Sequence, residues 1–265
     1  MAGIPLWYEL MTTDAAKVAP FYSEVLGWSV ATSGDRLPNG ARYGMIDRAD
    51  GSQAGGVLTM SEDMREHGAR PSWLIYFNVD DTDEACAMAQ QLGATIQMQP
   101  VTMENVGQMA MLTDPQGTLF YVMTPTPPEG SEPEGESSVF GPETVGYCAW
   151  NELNTQNADE QEAFYSQLFS WEVTGEMPMP DGHTYKFVNI GDVPLGAISS
   201  MKPESMPSQW LPYFRVADID AAKGAVEANG GKVELGPHEV PGGDHILVGF
   251  DPDGAALGLV GKKAD

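Results

Sequence analysis

Two stretches of the 265-residue chain, WYELMTTDAAKVAPFYSEVLGW at 7–28 and WNELNTQNADEQEAFYSQLFSW at 150–171, align without a gap at an offset of 143. Trp7/Trp150, Glu9/Glu152, Leu10/Leu153, Thr12/Thr155, Ala15/Ala158, Phe21/Phe164, Tyr22/Tyr165, Ser23/Ser166 and Trp28/Trp171 are identical. The correspondence resumes at an offset of 137 with Trp73/Trp210, Tyr76/Tyr213, Phe77/Phe214, Val79/Val216, Asp81/Asp218, Asp83/Asp220 and Ala85/Ala222, and with DPQG at 114–117 against DPDG at 251–254. Such a duplication constrains the fold more than any composition does: whatever the first half builds, the second half builds again. Between the copies lies PTPPEGSEPEGESS, residues 125–138, whose prolines and glutamates read as an extended, self-repelling linker. The expected domains are 1–125 and 139–265, joined by 126–138.

Within each copy the periodicity changes in a fixed order. LWYEL has a strand's length and aromatic content, and AAKVAPFYSEVLG then places Ala16, Val18, Phe21, Tyr22, Val25 and Leu26 near helical spacing. Asp14 fits the N-cap and Gly27 the C′ position of that helix. WSVATSG, ARYGMID and AGGVLTM follow as strands, giving a βαβββ module. The order recurs with SWLIYFNV, the helix DTDEACAMAQQLG, and the strands ATIQMQPV, GQMAMLTD and TLFYVM. The fold class is therefore α+β, with two modules per domain and four in the chain.

Thirteen Lys and Arg against 38 Asp and Glu give a formal charge of −25, which repels nucleic-acid backbones and anionic lipid surfaces. No run of about 18 apolar residues predicts a membrane span. MAGIPLWYEL lacks a basic region followed by an apolar one, so a cytoplasmic location is expected. Cys86, in a predicted helix, and Cys148, entering a predicted strand, are expected to pack as small apolar residues.

The repeated order, the W-x-E-L opening, a helix containing FY and ending in L-G-W, the Y-F-x-V-x-D junction and the D-P-x-G turn resemble the vicinal oxygen chelate superfamily. That superfamily includes glyoxalase I, extradiol dioxygenases and bleomycin-resistance proteins, and the chain is most similar to its tandem two-domain glyoxalase-like group. The resemblance implies mixed sheets curled around cavities. In metal-dependent members it also implies ligands on the first, fourth, fifth or eighth strand of a domain. The first-strand position maps onto Glu9 and Glu152. The others map near Gly55–Val57 and Gly196–Ile198, near Leu74 and Leu211, and onto Tyr121 and Gly258. A divalent ion needs two or three converging N or O ligands, so a divalent metal stays possible but the usual set is incomplete and no metal ligands are assigned. His67 precedes the fifth strand in a polar loop, His183 lies near a strand start with no equivalent in the first copy, and His238 and His245, in HEVPGGDH, occur only in the second copy.

Alternation along a strand puts Trp7, Glu9 and Met11 on one face. By the resemblance that face lines a cavity together with Leu74, Tyr76, Asn78, Leu119, Tyr121 and Met123. The second copy supplies Trp150, Glu152, Asn154, Leu211, Tyr213, Arg215, Ala256, Gly258 and Val260. A mostly apolar hollow with a few polar groups suits a small organic ligand. Trp7, Tyr76, Tyr121, Trp150, Tyr213 and Arg215 are accordingly the expected ligand contacts, and Glu9 and Glu152 the expected catalytic groups. A desolvated glutamate gains basicity, which suits a lyase or isomerase. Equally, the carboxylate accepts hydrogen bonds from Tyr76 or Tyr213, or pairs with Arg215, and merely sets strand register; a separate alternative is a protein that sequesters its ligand without metal, as the bleomycin-resistance resemblance implies. A third arrangement makes one domain a degenerate partner of the other. The phenylalanine-tyrosine pairs are expected to be core and the D-P-x-G aspartates turn residues. The chain is expected to act as a monomer or homodimer.

Overall fold

The computed structural model of the chain describes residues 2–126, 139–179, 182–200 and 208–264. Most of the expected linker, 127–138, lies outside the described residues. The first module comprises β1 (Pro5–Thr12), α1 (Ala15–Leu26), β2 (Ser29–Val30), β3 (Asp35–Arg36), β4 (Arg42–Asp47), β5 (Gln53–Thr59) and a short α2 (Glu62–Glu66). The second comprises β6 (Ser72–Asn78), α3 (Thr82–Gln91), β7 (Thr95–Met103), β8 (Gly107–Thr113) and β9 (Leu119–Pro125). The third has β10 (Cys148–Thr155), α4 (Ala158–Phe169), β11 (Glu172–Pro178), β12 (Thr184–Ile190) and β13 (Val193–Ser200). The fourth has β14 (Gln209–Arg215), α5 (Ile219–Ala228), β15 (Lys232–Glu239), β16 (His245–Phe250) and β17 (Ala256–Gly261).

The α+β class and the fourfold βαβββ order therefore hold. Two mixed sheets result, with strand orders β2-β4-β5-β1-β6-β9-β8-β7, β3 joining β4, and β11-β12-β13-β10-β14-β17-β16-β15. Two local expectations change. WSVATSG pairs only over Ser29–Val30, because the chain bends at Thr32 and Ser33 and re-enters the ladder at Asp35. SEDMRE, with no expected element, forms α2 because the Ser61 hydroxyl caps Met64 N–H.

The four longer helices start on side chains that accept the first free N–H groups: Asp14, Asp81, Asn157 and Asp218. Gly27 ends α1 in the left-handed region at φ 69°, where a Cβ is disfavoured. Cys86 and Cys148 are buried and free. Gly55 and Gly196 let β5 and β13 run against the parallel strands β1 and β10; a Cβ on either lies 2.2 or 1.8 Å from the carbonyl oxygen of Tyr8 or Asn151.

Packing divides the chain into two compact units. One contains Met1–Leu6, Ile75–Ser137 and Trp150–Trp210, and the other Trp7–Leu74, Ser138–Ala149 and Leu211–Asp265. The second and third modules thus pack as one unit and the first and fourth as the other. In the unit of modules two and three, Phe77, Phe120, Phe164, Tyr165, Phe169, Trp171 and Trp210 form an aromatic core with mostly edge-to-face contacts. At its centre the Tyr165 hydroxyl donates to Asp114 Oδ2 at 3.0 Å and accepts from Trp210 Nε1 at 3.3 Å.

The unit of modules one and four repeats this with other residues. The Tyr22 hydroxyl donates to Asp251 Oδ2 at 3.0 Å and accepts from Trp73 Nε1 at 3.1 Å. Asp251 Oδ1 gathers the N–H groups of Asp253, Gly254 and Ala255. Burial raises the Asp114 and Asp251 carboxyls above their ordinary value, and the surrounding donors offset only part of that rise. The D-P-x-G aspartates are therefore turn residues, as expected, whose second oxygen also anchors a helix.

The residue two after each such aspartate ties down a first strand. Asp253 accepts from Thr13 N at 2.6 Å, from Thr12 Oγ1 at 2.8 Å and from Lys17 Nζ at 3.1 Å. Gln116 Oε1 accepts from Thr155 Oγ1 at 2.6 Å and from the N–H groups of Gln156 and Asn157.

Two outcomes follow. Tyr22→Phe leaves Asp251 and Trp73 each short of a buried partner, and urea unfolding should show a loss of about 1–3 kcal/mol. Burial pushes the Asp253 carboxyl up, but hydrogen bonds from Thr13, Thr12 and Lys17 outweigh it and hold the group at about 2. That is below its unfolded value of about 3.9, so its stabilisation is complete above that pH and lost as pH falls toward 2. Asp253→Asn should flatten this acid limb in pH-dependent unfolding, whereas an unchanged limb would contradict the assignment.

Candidate functional site

In the third module, Trp150, Glu152 and Asn154 alternate onto one face of β10. The neighbouring β13 is parallel, with Glu152 opposite Ala197 and Asn154 opposite Ser199. Beyond it β12 is antiparallel, with Tyr185 opposite Ser199 and Phe187 opposite Ala197. These registers bring Tyr185 and Phe187 onto the face that carries Glu152.

A directed chain of hydrogen bonds results. Trp150 Nε1 donates to the Tyr185 hydroxyl at 2.8 Å, and that hydroxyl donates to Glu152 Oε2 at 2.9 Å. Asn154 Nδ2 donates to Glu152 Oε1 at 2.9 Å. Phe187 packs edge-on against both Trp150 and Tyr185, with centroids 6.3 and 5.5 Å away. Burial, and then the Glu152 charge, push the Tyr185 phenol well above its ordinary value, so it remains a neutral donor.

The first module builds the same frame. Trp7, Glu9 and Met11 share a face of β1, with Glu9 opposite Gly56 and Met11 opposite Leu58 on β5, and Tyr43 of β4 opposite Leu58. Trp7 Nε1 donates to the Tyr43 hydroxyl at 2.8 Å. Glu9 is 2% exposed. Met11 and Leu58 belong to an apolar cluster with Ala41 and Met60, against which Tyr43 packs. The equivalent row in the third module is Asn154 and Ser199, so the row beyond the glutamate is apolar in one copy and polar in the other.

The remaining expected site residues are placed as follows. Tyr76 and Tyr121, opposite each other on β6 and β9, stack face to face with centroids 4.0 Å apart and planes 4° apart. Tyr213 lies opposite Gly258, and its ring covers that glycine so closely that a Cβ there would be 2.3–2.6 Å from the ring carbons. The Arg215 guanidinium donates to the Pro142 carbonyl and pairs with Asp244 Oδ2 at 3.0 Å, not with Glu152.

Tyr43 and Tyr185 were missed from sequence. They are the second residues of equivalent strands, at an offset of 142, within the stretch where the alignment drifts from 143 to 137. An aromatic residue recurring at that position was the available signal.

The donor set does not fit the divalent metal that the resemblance implies. Among the described residues, no three His, Cys, Asp or Glu side chains come together. Leu74 and Leu211 are buried and apolar. At the fourth-strand position of the first copy a Gly56 Cβ would meet the Tyr43 hydroxyl at 2.1 Å and Trp7 Nε1 at 3.0 Å. At the eighth-strand position of the second copy the Tyr213 ring fills the space above Gly258. Aromatic groups stand where ligand side chains would project. His238 and His245 sit on β15 and β16, where His238 faces Ile246 and His245 faces Glu239 across the ladder.

The profile of the Glyoxalase/Bleomycin resistance protein/Dioxygenase superfamily matches residues 5–122 and 144–259. The chain belongs to this superfamily. CFP32 of Mycobacterium tuberculosis, which carries a glyoxylase name, is 27% identical over 258 residues, covering 97% of this chain and 94% of that protein. The anthracycline biosynthesis protein DnrV of Streptomyces peucetius is 28% identical over 277 residues, covering 97% and 93%. The Mn(II)-bound glyoxalase of Novosphingobium aromaticivorans shares the fold, with a TM-score of 0.63 at 14% identity over 100% of this chain and 84% of that one. No helix among the described residues is long and apolar enough to cross a membrane.

Gly258→Glu, which restores a superfamily ligand type, should cost about 1–3 kcal/mol by crowding Tyr213. Adding Tyr213→Ala should recover part of that loss in thermal unfolding. Full stability of the single variant would show that the ring moves aside freely.

Proposed function

We propose that the protein binds a small organic molecule at its first-strand glutamates, Glu9 and Glu152, one in each domain of the duplication (1–125 and 139–265), and that it uses no metal to do so. The observation that carries this is the Glu152 carboxylate, fixed by Tyr185 and Asn154 beside the Trp150 indole on a polar and aromatic strand face. Two donors stabilise the charged form and set its direction, which suits a group that anchors a hydroxyl or amine of a ligand.

Trp7, Trp150, Tyr76, Tyr121 and Tyr213 supply aromatic surface in this reading. Arg215 contributes through its place on β14, next to a charge already balanced by Asp244. The naming of DnrV for anthracycline biosynthesis makes a planar polycyclic molecule a sensible first probe. A formal charge of −25 disfavours nucleic acid as partner. The setting proposed is cytoplasmic and the chain monomeric or homodimeric.

A second reading, a lyase or isomerase with glutamate as the base, is favoured by Glu9. Glu9 is a buried residue on the strand face that also carries Trp7 and Met11, within reach of whatever occupies that face.

Glu9→Gln and Glu152→Gln, made separately, discriminate the readings. Titration of an anthracycline and of smaller aromatic probes, followed by tryptophan fluorescence, should show about tenfold weaker binding in at least one variant at unchanged melting temperature. Wild-type affinity in both defeats the anchoring role. Turnover lost with affinity kept identifies the base.

A further inference from the structure

We infer that Tyr185 is the positioning residue of the Glu152 site: its phenol, clamped by the Trp150 indole, sets the orientation and the charge of the carboxylate. The inference rests on reading Glu152 as the ligand-facing group, and adds the device that fixes this carboxylate where the superfamily's metal-dependent members use a metal.

The direction of the relay follows from hydrogen-bond inventory. An indole N–H only donates, so the Trp150 contact at 2.8 Å uses a lone pair of the Tyr185 oxygen and leaves its single proton for Glu152 Oε2 at 2.9 Å. The ring has little freedom to turn away. Phe187 packs on it from two residues along the same strand and also on Trp150, so the three aromatics brace one another. Glu152 is held at both oxygens, by groups from β10 and β12 whose register the sheet dictates.

The duplication supplies independent support. The first copy repeats the clamp, Trp7 to Tyr43 at 2.8 Å, although the residues around it differ. Met11 stands for Asn154, Leu58 for Ser199, Met45 for Phe187 and Gly56 for Ala197. Simple packing fillers do not require a tryptophan N–H aimed at a tyrosine oxygen in both copies, whereas a positioned phenol does. The bare Gly56 backbone leaves the space into which the Tyr43 hydroxyl reaches.

A donor that favours the charged carboxylate lowers the pH at which it takes up a proton, and removal of the donor raises that pH. Carbon NMR of protein labelled at the glutamate side-chain carboxyl reads this directly, with the Glu152 signal assigned by its loss in Glu152→Gln. Tyr185→Phe should raise the Glu152 titration midpoint by about one pH unit. Trp150→Phe, which keeps the phenol but removes its clamp, should raise it by less. A folded Tyr185→Phe protein with an unmoved midpoint overturns the inference, as does a larger shift from Trp150→Phe. If Tyr185→Phe does not fold, Trp150→Phe alone decides, and an unmoved midpoint there overturns the inference as well. The titration needs no ligand. A moved midpoint in a protein whose ligand binding ignores Glu152→Gln would defeat the binding reading while leaving the positioning role standing.

Discussion

The buried tyrosine–aspartate hydrogen bond is the contact on which the rest of each unit hangs. Tyr22 reaches Asp251 across 229 residues of chain, and Tyr165 reaches Asp114 across 51, in each case between different modules. A buried carboxylate is tolerable only when its lone pairs are filled. Asp251 achieves this with three turn N–H groups on one oxygen and the tyrosine on the other. The turn before the last strand is thereby pinned to a helix from another module. The same turn then holds the end of a first strand, through Asp253 at Thr12 and Thr13 and through Gln116 at Thr155. Each first strand carries its glutamate a few residues upstream, so the placement of Glu9 and Glu152 inherits the rigidity of that turn.

Much of this architecture was legible because it is local. Strand and helix periods, the Asp14, Asp81 and Asp218 caps and the Gly27 terminus depend on neighbours within a few residues. The glutamates stood out because the duplication printed them twice. Pairing of the first module with the fourth, and of the second with the third, left no comparable mark, since equivalent modules present equivalent surfaces to any partner. The D-P-x-G aspartates looked complete as turn residues, and nothing in four letters discloses that the second carboxylate oxygen serves a tyrosine 229 residues away. Tyr43 and Tyr185 were hidden for a related reason. Each meets its tryptophan 36 or 35 positions away, through a register that exists only once three strands are paired.

The two glutamate sites are one frame filled in two ways. Strand register, the tryptophan two residues before the glutamate and the clamped tyrosine are common to both. The row beyond the glutamate is Met11 and Leu58 in one copy and Asn154 and Ser199 in the other. An apolar row and a row of amide and hydroxyl do not favour the same ligand groups, because each polar group left unmatched by a ligand costs free energy. If both glutamates bind ligand as proposed, the duplicated chain offers two different settings on one scaffold, which a dimer of identical single domains cannot do.

The missing metal ligands and the abundant aromatic side chains are a single change rather than two. A planar ring laid flat on a strand needs the residue beneath it to be small, and Gly258 under Tyr213 meets that need with a clearance no Cβ would share. Gly56 does the same for the Tyr43 hydroxyl. Once the ring is in place, a glutamate or histidine at the position below cannot project into the same volume. A ligand side chain and the ring thus exclude each other at one backbone position. The exchange also redirects the surviving carboxylate. Tyr185 and Asn154 each donate to one oxygen of Glu152 and so fix its orientation. In the proposed reading the Glu152 site is a hydrogen-bonding centre rather than a Lewis-acid one, and the side chains that the strand register allows to coexist decide which it is.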